Sequence, residues 1–222
     1  MAGIQAILDV LLRAQALGFV GPGEPEVHLH QAEAMCRVAE RIGRARRIWR
    51  SQPARVLDLG SGGGVPGLVV AWRWPSSEVV LLDSSRRRTE VLAAAVATLG
   101  WADRVRVLQA RAEEAGRQDD WRGSFDLVVA RSFASPPVTA ECAAPFLTTG
   151  GLAVVSEPPA RDDEATASRW PAPALRELGL EPVMRVVDGF TFQVLRQSRP
   201  CPERFPRRVG VPSKRPLYRI PS

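Results

Sequence analysis

The stretch Val56-Leu57-Asp58-Leu59-Gly60-Ser61-Gly62-Gly63-Gly64-Val65-Pro66-Gly67 carries a short, mostly apolar run into a glycine-rich turn. Arg55–Leu59, stopped by glycines, has the form of a buried parallel strand. The glycines let the chain turn sharply and let a ligand approach main-chain atoms closely. Pro66 suits the first position of the helix expected over Gly67–Trp74. Two kinds of ligand fit such a turn. Gly62-Gly63-Gly64-Val65-Pro66-Gly67 satisfies the G-x-G-x-x-G dinucleotide fingerprint, although it begins after the strand has ended. Asp58 speaks against a pyrophosphate, which a fixed carboxylate repels. S-adenosylmethionine (SAM) has no phosphate and carries an amine and a sulfonium, both cationic, so Asp58-x-Gly60-x-Gly62-x-Gly64 suits it better. Asp83, closing the next expected strand (Glu78–Leu82), is placed to take both hydroxyls of a ribose.

Outward from this turn, strands and helices alternate. A helix over Ser85–Leu99 precedes strand Arg104–Gln109, and strand Phe125–Ala130 precedes a helix over Val138–Leu147. Strand Gly151–Ser156, a helix over Ala172–Leu178, and the strands Val183–Val187 and Thr191–Leu195 follow. The last two read as an antiparallel pair at the sheet edge. Parallel strands with right-handed crossovers make an open α/β sheet whose ligand crevice lies at the strands' carboxyl ends. Ahead of the sheet, Ile4–Leu17 and Leu29–Trp49 read as amphipathic helices. The expected organisation is a helical N-terminal extension (1–53), a ligand-binding α/β domain (54–199) and a basic Pro/Arg-rich C-terminal arm (200–222).

At 45% hydrophobic, 222 residues can bury a core without disulfides. No apolar run approaches the roughly 18 residues that cross a bilayer, and the N-terminus lacks a signal-peptide pattern. Three dispersed cysteines and two histidines argue against a disulfide framework or a metal site. A cytoplasmic, monomeric protein is expected. The net charge of +6 attracts phosphates, but almost all of it is arginine, so position says more than the total.

The third strand runs into Arg111-Ala112-Glu113-Glu114, over the adenine in a nucleoside-binding α/β fold. Ala112 would pack on the ring, and its backbone or Glu113 would meet the amino edge. Equally, Glu113 and Glu114 are the acidic first turn of a helix. Arg131, directly after the fourth strand, lies at the crevice mouth, with an ion pair to Glu113 or Asp126 as the alternative. Arg86-Arg87-Arg88 puts three cations in the first turn of a helix, against its dipole. Phosphate contact explains Arg86 and Arg87; pairing with Glu90 or Asp83 is the alternative, preferred for Arg88.

Taken together and in order, Asp58-Leu-Gly-Ser-Gly-Gly-Gly-Val-Pro-Gly67, Leu82-Asp83-Ser84, Arg111-Ala-Glu-Glu114 and Ala130-Arg131-Ser-Phe133 closely resemble the RsmG/GidB family. These are bacterial guanine-N7 methyltransferases of 16S ribosomal RNA. Phe205-Pro-Arg-Arg-Val-Gly-Val-Pro-Ser-Lys-Arg-Pro-Leu217 is similar to the family's tail, and His28 or His30 to a histidine common in its N-terminal extension. The resemblance implies a Rossmann-like class I SAM-dependent methyltransferase sheet. It places SAM contacts on Gly60, Val65, Ala112, Glu113 and Arg131, to which ribose chemistry adds Asp83. It implies 16S ribosomal RNA or the small ribosomal subunit as partner; the charge argument above turns Arg86 and Arg87 to its phosphates, and the tail, read as a phosphate-tracking arm or else as a solubilising end, adds Arg207, Arg208, Lys214 and Arg215. No catalytic base is expected, because guanine N7 has a free lone pair; Arg131 would orient SAM or the guanine. One departure bears on acceptor binding: Ser156-Glu157-Pro158-Pro159 stands where the family commonly has Lys-Gly. A small-molecule SAM methyltransferase, a non-catalytic SAM-binding homologue and an NAD-dependent oxidoreductase are the competing readings.

Overall fold

Side chains alternate across a strand, and in the computed structural model, which describes residues 2–159 and 169–220, that alternation sorts the core into two layers. Val56 of β1 (Arg55–Leu59) and Val79 and Leu81 of β2 (Glu78–Asp83) face one layer. Leu57, Leu59, Val80 and Leu82 face the other. The first layer is closed by α2 (Pro25–Ala45), α3 (Gly67–Arg73) and α4 (Arg86–Thr98), through Met35, Val38, Ile42, Leu68 and Leu92. The second is closed by α5 (Ala112–Ala115), α6 (Pro136–Ala143) and α7 (Ala172–Glu177). In α1 (Ala2–Ala16), Ile7, Leu11 and Ala14 pack against Val65 and Val69, so the first helix lies on α3 and the glycine turn.

Adding β3 (Val105–Gln109), β4 (Phe125–Ala130), β5 (Leu147–Glu157), β6 (Leu180–Asp188) and β7 (Phe190–Gln197) gives a sheet of order β3-β2-β1-β4-β5-β7-β6. β1 to β5 are parallel, and β7 enters antiparallel between β5 and β6. The α/β class, the parallel ladder and the antiparallel pair at the edge agree with the sequence pattern. Between β4 and β5 the details differ. α6 stops at Ala143, and a 3-10 turn over Ala144–Phe146 delivers Leu147 into β5. Pro145 has no N–H to continue an α-helix, which a hydrophobic-period reading of Val138–Leu147 overlooks.

The residues from Pro200 onward are not the extended arm expected of them. Phe205 is buried in the second core layer. The Arg122 guanidinium donates to the carbonyls of Gly116, Cys201, Pro202 and Phe205. A short helix, α8 (Val211–Lys214), follows. Point anchors of this kind leave no period in the sequence, which is why the segment reads as unstructured. Among the described residues no helix is long and apolar enough to cross a membrane.

Candidate functional site

The strand order reverses between β1 and β4, and an open α/β sheet has its crevice at such a point. There the glycine turn leaves β1. Gly60 has φ 78°, and a Cβ built on it would lie 2.5 Å from Phe133 Cδ2, so only glycine fits beneath that ring. The turn is held from inside. The amides of Gly60 and Ser61 both donate to the Leu82 carbonyl at 2.9 Å, and the Gly64 amide donates to the Ser61 carbonyl at 2.8 Å. The Gly62 amide donates to Asp83 Oδ2 at 2.9 Å, and the Ser85 amide donates to Asp83 Oδ1 at 2.8 Å. Each Asp83 oxygen keeps lone-pair capacity for a hydroxyl donor. The N-terminal segment closes over the loop, with Val20 against Gly63.

Asp58 lies wholly buried beneath this turn. Its Oδ2 accepts from the Gly67 amide at 2.9 Å at the start of α3, while Oδ1 has no partner among the described residues. Burial pushes its pKa from 3.8 up to about 7; Ser61, Gly67 and the Arg131 charge oppose the rise and Asp83 adds to it. In the empty protein, stability from this group is fullest below pH 4 and declines as pH rises to about 7, because the folded state holds the proton longer than the unfolded one. A cationic ligand above the loop reverses the preference. Its affinity should rise as pH climbs through about 7 and level off beyond. Titration calorimetry from acid to mildly basic pH checks this, and Asp58→Asn should flatten the profile.

Three cavities meet at Ser132, a non-glycine residue at φ 52°. Strain of this kind clusters at functional sites. One cavity, about 260 Å³, is lined by Gly60, Asp83, Ala112, Glu113 and Phe133. A second, about 340 Å³, is lined by Phe19, His28, Gly60, Val65 and Arg131. The third, also about 340 Å³, lies at the end of β5 between Phe133, Glu157, Arg169 and Trp170. All six residues read from the sequence as SAM contacts therefore line two adjoining cavities. α5 places Glu113 and Glu114 in its first turn, and Ala112 and Glu113 also line the first cavity. Glu113 Oε1 also accepts from the Gly210 amide at 3.0 Å, and Ser213 lines the same cavity.

Arg131 pairs with neither Glu113 nor Asp126. Its Nη1 donates to His28 Nδ1 at 2.9 Å and to Gln31 Oε1 at 3.2 Å. That contact makes Nδ1 the acceptor, so the proton belongs on Nε2, which lies 3.1 Å from the Gly21 carbonyl. Burial lowers the His28 pKa, in keeping with a neutral ring. Gln31 escaped the sequence reading; its place one helical turn after His28 was the available signal. Asp126, at the other end of β4, accepts from the amides of Ala54 and Arg55.

The basic residues divide. Arg86 reaches Glu90 at 2.8 Å, and Arg88 lies 3.6 Å from Asp83. Arg87 has no carboxylate partner among the described residues and stands over the Phe19 ring. Arg207 is bound through Nε and Nη2 to the buried Glu141, a structural anchor before anything else. Arg208, Lys214 and Arg215 are exposed.

The family model described as "GidB: rRNA small subunit methyltransferase G" matches residues 30–170. A protein named ribosomal RNA small subunit methyltransferase G from Synechococcus sp. is 37% identical over 74% of this chain and 66% of its own length. Its namesake from Prochlorococcus marinus is 42% identical over 75% and 69%. The chain thus spans about two thirds of the length of these relatives. Among solved structures, the cofactor-bound Rv0187 from MTB superposes with a TM-score of 0.58 at 20% identity, covering 88% of this chain and 90% of that one. With the family model matched over most of the chain and a relative 42% identical over 69% of its own length, the chain belongs to the GidB family, rRNA small subunit methyltransferase G.

Proposed function

We propose that the protein transfers a methyl group from SAM to N7 of a guanine in 16S ribosomal RNA, presented as RNA or in the small ribosomal subunit. The observation that carries the SAM reading is the engagement of the glycine-turn amides. Those of Gly60, Ser61, Gly62 and Gly64 are spent on Leu82, Asp83 and Ser61, which leaves little to cradle a pyrophosphate. The buried Asp58 beneath them favours a cation, which speaks against the dinucleotide reading of Gly62–Gly67.

In this reading Asp83 takes the ribose, Ala112 and Glu113 the adenine, and Gly60 and Val65 the turn beside the methionine portion. Bound SAM supplies an electrophilic methyl group. The chain's own residues have only to hold N7 in line with it, and such positioning is worth roughly 7–11 kcal/mol. Arg131, fixed by His28 and Gln31, is the orienting cation in the wall of the second cavity, next to Ser132 where the three meet. The helical segment ahead of β1 walls the crevice, the sheet domain carries SAM, and the described part of the C-terminal segment closes the adenine side through Gly210 and Ser213. Arg87, Arg208, Lys214 and Arg215 face RNA phosphates; Arg86 does so by giving up Glu90. The protein acts as a monomer in the cytoplasm.

Incubating the protein with labelled SAM and undermethylated small subunits, then mapping the modified base, tests this reading. Methylation elsewhere than guanine N7 overturns it, and transfer only to small molecules favours the small-molecule SAM methyltransferase. Arg131→Ala should lower kcat/KM about 10–150-fold, the worth of a hydrogen bond to a charged group, with a small change in melting temperature. Full activity would remove Arg131 from the site.

A further inference from the structure

The cavity at the end of β5 is not used by any SAM contact above, yet it shares Ser132, Phe133 and Ala134 with the cavity that is. Its wall holds a buried carboxylate: the Glu157 side chain is 4% exposed. Arg169 Nε lies 2.6 Å from Glu157 Oε2 and supplies the counter-charge that makes such burial tolerable. Arg169 is the hydrogen-bond partner of Glu157 among the described residues, and one contact leaves most of the lone-pair capacity of a carboxylate free. Beside the acid, Phe133, Pro136, Pro158 and Trp170 bring apolar faces to a wall that also holds Gln31 and Thr139, and the Trp170 indole N–H has no partner among the described residues. The Tyr218 hydroxyl is buried and also without a partner among the described residues; burial, and next the Glu157 charge, raise its pKa, so it keeps its proton.

A carboxylate only accepts hydrogen bonds, so what it selects follows from the edges of the bases. Guanine presents N1–H and the 2-amino group side by side, two donors for two oxygens. Adenine and cytosine present a ring-nitrogen acceptor there, which the charge repels. Uracil has a single N–H between two carbonyls. With its N1 and N2 edge held by an acid, guanine still has N7 free on its other ring. We propose that this cavity holds the acceptor base and that Glu157 selects guanine in it by accepting N1–H and the 2-amino group, with apolar side chains against the ring faces. This assignment rests on the methyl-transfer reading above and adds the specificity-determining residue. It also gives a role to the departure from the family's Lys-Gly noted above, Ser156-Glu157-Pro158-Pro159.

The experiment compares wild type and Glu157→Gln on an RNA fragment carrying the mapped acceptor, synthesised with guanine or with inosine, which lacks the 2-amino group. On guanine RNA, Glu157→Gln should lower kcat/KM about 10–150-fold, since a charged acceptor is lost, while SAM affinity by calorimetry stays within about twofold. Wild type should lose activity on inosine RNA over a similar range, a comparison that needs no folded variant. The two losses should not add, because they remove the same contact. Additive losses, an undiminished wild-type rate on inosine RNA, or full activity of Glu157→Gln each overturn the assignment while leaving the methyl-transfer reading standing. A wild type that methylates no ribosomal RNA overturns both.

Discussion

Gly60→Arg should abolish methyl-donor binding in a protein that still folds. Gly60 borders both cavities assigned to the donor, at φ 78°. An arginine there must first displace Phe133, because its Cβ would fall 2.5 Å from Phe133 Cδ2. The rest of the side chain has nowhere to go but the crevice, where it brings a positive charge to a site suited to a sulfonium. Bulk and like charge act together, and affinity should fall at least about 100-fold, or about 2.7 kcal/mol. The left-handed conformation costs a non-glycine residue about 1–2 kcal/mol, which lowers the melting temperature by about 2–8 °C in a chain of this size. Calorimetric titration and a thermal melt on the same sample separate the two effects. Unchanged affinity would take Gly60 out of the site, and with it the assignment of the turn to the donor.

What the sequence disclosed about this site depended on how far apart in the chain its parts lie. Gly60 and Arg131 each follow a strand directly, Asp83 closes one and Ala112 comes three residues after another, so a correct reading of strands delivers them to one edge of the sheet without knowledge of any contact. The partners of Arg131 were out of reach by that route. His28 and Gln31 arrive from α2, which packs across the sheet by long-range burial of Met35, Val38 and Ile42. Asp58 was legible as a residue but not in its role: expected beside a cationic ligand, it is wholly buried, lines none of the three cavities, and acts through its field and its bond to Gly67. The arginines show the same limit. Arg86-Arg87-Arg88 is one motif in sequence, yet the fold gives its members different surroundings: Glu90, the Phe19 ring and Asp83. Charge is visible in a sequence, whereas the partner that uses it up belongs to the fold.

The C-terminal segment turns on that distinction. Were residues 200–222 a free phosphate-tracking arm, removing them would cripple an RNA enzyme and spare a small-molecule one. The docked segment makes that deletion uninformative, because Glu141 depends on it. Glu141 is wholly buried and accepts from the Arg207 amide at 2.8 Å, from Nε at 2.8 Å and from Nη2 at 2.6 Å. Arg207→Ala keeps the amide contact but leaves the carboxylate without its counter-charge. Breaking a buried pair from one side costs about 3–5 kcal/mol, so the melting temperature should fall by about 6–20 °C. Arg208→Ala, next in the chain but exposed, should move it by about 2 °C or less. If the loss comes from the stranded charge, Glu141→Leu in the Arg207→Ala background should restore part of it, since an apolar residue of similar volume has nothing to neutralise. An equal, small shift for Arg207→Ala and Arg208→Ala would mean that the segment is not anchored through Glu141. In that event the deletion regains its power to tell RNA from a small acceptor.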